Sequence, residues 1–188
     1  MVKKNYIIVA AVLMLIAGCS DENIPKPKGY IRFDLPEHTY KHYSDACPYE
    51  FELGEYAKIE DRSRSGECWK NIYIKPTRAR VHLSYKKIDN NLPQLLDDAH
   101  QLVYGHTVKA DAIEEQLFFN PVRKVYGMLY TIKGDAASNL QFYATDSTNH
   151  YLRGALYFNA APNEDSLAPL IQFVRQDVEH MIETLNWK

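Results

Sequence analysis

A chain of 188 residues, 46% hydrophobic and 24% charged, holds enough apolar material for one ordinary globular domain and too little for two well-packed ones. Its 22 Lys plus Arg against 24 Asp plus Glu give a formal net charge of -2, which leaves no positive surplus to neutralise a phosphate backbone and argues against generic nucleic-acid binding. Aromatics at 12%, with only 8 Gly and 9 Pro, exclude disorder over most of the length and favour strands.

At the start, Lys3 and Lys4 precede an unbroken apolar run from Tyr6 that ends in Ile16-Ala17-Gly18-Cys19, the layout of a secretory signal. That run falls short of the roughly 20 apolar residues a membrane span needs, so residues 1–18 are expected to be a cleaved export signal. Cys19 after two small residues resembles the lipobox of bacterial lipoproteins, whose thiol carries diacylglycerol and whose acyl chains, such as palmitate, hold the mature protein on a membrane. Residues 19–28, with Pro25 and Pro27, read as an extended tether, and residues 29–188 as a single domain. Asp21-Glu22 resembles the tag that sends some lipoproteins to the outer membrane, which is therefore the favoured location. With Cys19 lipidated, Cys47 and Cys68 form an even pair in an oxidising compartment, and a disulfide between them is expected.

Further along, Tyr49–Leu53, Trp69–Lys75 and Ala79–Tyr85 read as strands, the last alternating Ala79, Val81, Leu83 and Tyr85 with Arg80, His82 and Ser84. Asn91 opens a helical pattern with Leu92, Leu95, Leu96, Ala99, Leu102 and Val103 on one stripe, ending near Gly105. Strands follow at Ile113–Phe119, Val122–Ile132, Ser138–Thr145 and Tyr151–Asn159, joined by short turns into a meander, with Val122–Ile132 apolar on both parities and so expected to be central and covered on both faces. Leu167, Leu170, Ile171, Val174, Val178, Met181, Ile182 and Leu185 mark a long terminal helix, with Ser166 as its N-cap and Pro169 in its first turn. The class is α+β: an antiparallel sheet with two amphipathic helices packed on it. The order resembles the sandwich of the PsbP and Mog1 proteins.

Catalytic signatures are scarce. His38 and His42 lie in an extended segment where their spacing does not bring both imidazoles to one face, so no metal is assigned, and neither a nucleophile elbow nor a phosphate-binding Gly loop occurs. The remaining feature is a sheet face of alternate parity. If Leu140, Phe142, Ala144, Leu152 and Leu156 face the terminal helix, then Gln141, Tyr143, Tyr151, Arg153, Tyr157 and Asn159 form an opposite surface with the composition of an interface, or else a second layer of packing.

From Cys47 onward the chain resembles the gliding-motility lipoprotein family GldD. The likeness rests on CPYEFE (47–52), CWKNIYI (68–74), HLSYK (82–86), KADAI (109–113), the long run VYGMLYTIKGDAASNLQFYATDSTNHYLRGALYFN (125–159), PNEDSLAPLI (162–171) and the terminal ETLNWK. It implies an envelope protein needed for gliding and for the linked type IX secretion machinery, working beside other motility proteins. It implies no reaction, no catalytic residue and no cofactor, and it carries over only Cys19, as the lipid attachment site. Asp146, His150 and Arg153 stand in the densest matching block, where they either serve function or shape a hairpin. The expected function is thus that of a non-enzymatic, membrane-held assembly component; an envelope hydrolase and a glycan- or small-ligand-binding module are the alternatives.

Overall fold

Alternation of apolar and polar side chains decides which way each strand faces, and the computed structural model, which describes residues 33–61, 68–105, 107 and 109–188, carries that alternation into two antiparallel sheets. In chain order the elements are β1 (Tyr40–Ser44), β2 (Tyr49–Gly54), β3 (Ala57–Asp61), β4 (Lys70–Ile74), β5 (Ala79–Lys87), α1 (Leu92–Tyr104), β6 (Ala110–Asn120), β7 (Val125–Gly134), β8 (Leu140–Thr145), β9 (His150–Phe158), α2 (Glu164–Thr184) and β10 (Asn186–Trp187). The small sheet runs β1-β2-β10 and the large one β3-β4-β5-β9-β8-β7-β6, so the fold is α+β. The export signal, Cys19 and the tether lie outside the described residues, as do residues 62–67 of the segment between the two remaining cysteines.

One face of the large sheet builds the main core. Val81 and Leu83 of β5, Leu152 and Leu156 of β9 and Leu140, Phe142 and Ala144 of β8 cluster with Phe173, Val174, Val178 and Met181 of α2 and with Tyr49, Phe51 and Leu53 of β2. The parity expected for β8 and β9 therefore holds: the Leu140 set faces α2. The other face receives α1, whose Leu95, Ala99 and Val103 are buried. Val103 packs with Tyr130 and Ile132, and Leu95 with Tyr151.

Strand β7 is covered on both faces as its sequence demands, Val125 and Leu129 towards α2 and Tyr130 and Ile132 towards α1. It is second from the edge rather than central, and it begins at Val125. Val122 sits in the preceding turn at 92% exposure, because the chain reverses there with Lys124 at φ 53°. Strands β1, β3 and β10 went unforeseen, since each is short and polar and its ladder is specified by pairing rather than by an apolar pattern.

Helix α2 begins earlier than expected. Its N-cap is Asn163, whose side chain accepts the Ser166 N–H, with Glu164 and Asp165 in the first turn complementing the helix dipole. Pro169 accordingly lies inside the helix. Asn91 precedes α1, but its side chain takes the Asp89 N–H instead of capping the helix. Gly105 does end α1, in right-handed geometry.

Candidate functional site

Cys47 and Cys68 are bonded, with their Cα atoms 5.5 Å apart. Cys47 leads into β2 of the small sheet and Cys68 into β4 of the large one, so the bridge staples the two sheets, and the buried Tyr49 hydroxyl reinforces it by donating to the Cys68 carbonyl at 2.9 Å. Beside it, Lys70 reaches Asp45 at 2.6 Å and also pairs with Asp61. Burial alone would raise the Asp45 carboxyl, but Lys70, the Tyr43 hydroxyl and the Cys47 N–H hold it below its ordinary value. Burial would likewise lower the Lys70 ammonium, and its two carboxylates raise it instead.

The interface-like residues of β8 and β9 share the α1 face by register, Asn159 falling just past the end of β9, but they do not form one open surface. Gln141 and Tyr151 are 1% and 3% exposed, Tyr143 and Arg153 are half-buried, and only Tyr157 and Asn159 are open to solvent. For Tyr151 the reason is α1, which crosses this face and accepts a hydrogen bond from the Tyr151 hydroxyl at the Leu95 carbonyl, 3.0 Å away, while Gln141 is engaged by Arg153. Much of the expected surface is therefore second-layer packing, with a cleft left open beside the helix.

That cleft, about 510 Å³, lies between α1 and strands β5 and β9. Its floor is a cross-strand set, Ser84 opposite Arg153 and Lys86 opposite Tyr151. Leu95, Ala99 and Leu102 of α1 form one wall, and Trp69, anchored through its indole N–H to the Tyr85 carbonyl at 3.0 Å, lies across from them. Arg153 donates to the Gln141 side-chain oxygen at 2.5 Å, and burial pulls its guanidinium below its ordinary value.

A second cluster was not anticipated. Asp177, 7% exposed, accepts the Tyr56 hydroxyl at 2.7 Å and lies 2.9 Å from His38 Nδ1, while the His38 ring stacks on Phe173. Burial lifts the Asp177 carboxyl above the usual range despite these hydrogen bonds. Burial first, and then the Asp177 charge, push Tyr40 up to about 12. The signal was present in the sequence: a carboxylate four residues from both Phe173 and Met181 falls on the buried stripe of α2. The adjoining cavity is about 10 Å³, no more than one water, so this His-Asp-Tyr set works as a latch between the segment before β1 and α2. His42 stands apart, 3.7 Å from Glu50.

Around the β7–β8 turn, Asp111, Asp135, Glu164 and Asp165 line a recess, but Glu164 accepts the Gly134 N–H and Asp135 the Glu164 N–H, joining that turn to the start of α2. Among the described residues no three His, Cys, Asp or Glu side chains meet as metal ligands. Asp146 accepts the N–H groups of Thr148, Asn149 and His150, so it shapes the β8–β9 hairpin, where Ser147 takes φ 68°.

At the far edge of the large sheet, Leu117 and Phe119 of β6 and Val122 of the following turn are 72%, 70% and 92% exposed. By register Leu117 pairs with Met128 and Phe119 with Tyr126. No helix among the described residues is long and apolar enough to cross a membrane. No curated protein matches the chain. A family model described as gliding motility lipoprotein GldD matches residues 20–187, which include both sheets, both helices, the cleft and the stapling disulfide. The chain belongs to the gliding motility lipoprotein GldD family.

Proposed function

We propose that the chain acts by contact rather than by catalysis, as a lipid-anchored component that assembles or stabilises the gliding machinery and the linked type IX secretion apparatus. Cys19 holds it at a membrane, with the outer membrane favoured. Confinement near a surface raises its effective concentration towards neighbouring envelope proteins, so that weak interfaces suffice. The ten-residue tether of residues 19–28 reaches at most about 35 Å, which keeps those partners close to the bilayer.

The observation that carries a contact role is the β6 edge. Among the described residues its backbone donors and acceptors pair on one side only, and three large apolar side chains, Leu117, Phe119 and Val122, stand exposed along it and its turn. An edge strand with one free side is a template for an added strand, and here its apolar part is the second half, Leu117 to Phe119, since the first half carries Asp111, Glu114 and Glu115. A photocrosslinking residue in place of Leu117, activated in intact cells, is expected to capture motility or secretion components, and Phe119→Lys to reduce that capture with the melting temperature unchanged. Reproducible capture of no such component, or turnover of peptidoglycan by the purified chain, would overturn this reading.

A further inference from the structure

The cleft beside α1 has the makings of a ligand site. Arg153 is half-buried on its floor, and among the described residues no carboxylate lies within ion-pair distance of it or of Lys86. A guanidinium removed from water without a counter-charge is costly and calls for an anion. Among the described residues its one side-chain acceptor is Gln141, 1% exposed, and the same amide leaves its Nε2 buried with no partner there, so donors outnumber acceptors at this point of the sheet.

The walls define the rest of the ligand. Leu102 is 52% exposed towards the cleft, above buried Leu95 and Ala99, and Trp69 stands opposite with its N–H already engaged. An apolar or aromatic body fits between them. Asp98 is the single carboxylate among the lining residues against the two cations, so the lining carries one net positive charge, matching a single negative charge better than a dianion. We infer that the cleft binds a monocarboxylate carried on an apolar body, its carboxylate on Arg153 and Lys86 and its body between Trp69 and Leu102. A free small acid and the C-terminal end of a peptide both present this chemistry.

The test is an NMR titration of the full chain, purified in a neutral detergent, with N-acetyl-phenylalanine and with its amide. The two tryptophans give two indole N–H signals, of which Trp69 lines the cleft while Trp187 donates to the Lys124 carbonyl at 3.0 Å elsewhere. The acid is expected to shift the Trp69 signal saturably and leave Trp187 unmoved, with the amide and Arg153→Gln each weakening binding about tenfold or more. Since Arg153→Gln also strips Gln141 of its donor, Leu102→Glu provides a surface control that adds a repelling carboxylate: it should abolish the shift at unchanged melting temperature. A peptide of ten residues ending in free Phe that binds more tightly than the small acid assigns the source to a protein chain end, and equal or weaker binding assigns it to a small acid. Equal binding of acid and amide, no saturable Trp69 shift, or undiminished binding in Leu102→Glu would sink the site.

Discussion

Lys70 illustrates how one residue concentrates stability. Its side chain is 11% exposed beside Asp45, so replacing it by Met strands a partly buried carboxylate, at a cost of about 1–3 kcal/mol once solvent exposure of the acidic partners is allowed for. The sign with pH follows from the two shifts. The depressed Asp45 contributes stability that is complete above its ordinary value of 3.8 and lost as pH falls through its lower folded value. The raised Lys70 contributes below 10.5 and loses its share as pH rises beyond that. Melting temperatures of the native chain and Lys70→Met should therefore differ by a constant amount from about pH 5 to 9, and converge below about pH 4 as the stranded Asp45 carboxylate protonates. Asp177 makes the complementary point: its charge was legible, its partner was not, because His38 lies 139 residues away in sequence.

Among the elements, the pairing of β8 with β9 depends on a close approach that only glycine permits. Gly154 lies opposite Phe142 in register, and a Cβ built on it would stand 2.0 Å from the Phe142 ring, itself 2% exposed and unable to retreat. Gly154→Ala is expected to destabilise the fold by about 1–3 kcal/mol in chemical denaturation, as overpacking of a filled core does. A loss under about half a kcal/mol would mean that the ring has room to move. Periodicity located α1, α2 and most of the large sheet, because an element buried along one stripe must repeat its apolar residues at its own period. It could not locate β1, β3 or β10, whose partners rather than their own side chains hold them in place. Nor could it set the start of α2, since Asn163 and Ser166 are both competent caps and tertiary bonds from Asp135 and Glu164 favour the earlier one.

At the scale of the whole molecule the disulfide is the joint between the sheets. The bridge closes a sequence separation of 21, and its loss in a Cys47→Ala, Cys68→Ala double variant should cost roughly 3 kcal/mol, read as a lowered denaturation midpoint. An unaltered midpoint would leave α2, Tyr49 and the Lys70 pairs as the effective joint. From sequence alone came the composition class, the parity of β5, β8 and β9, the two helical stripes, the cysteine pair and the family likeness, because each is a local or periodic property of the chain. Which of the polar face residues are buried and which are open was decided only by tertiary packing. The path of α1 across the sheet roofs Tyr151 and leaves Arg153 at the floor of a cleft, and no period of two or of 3.6 records where one element crosses another.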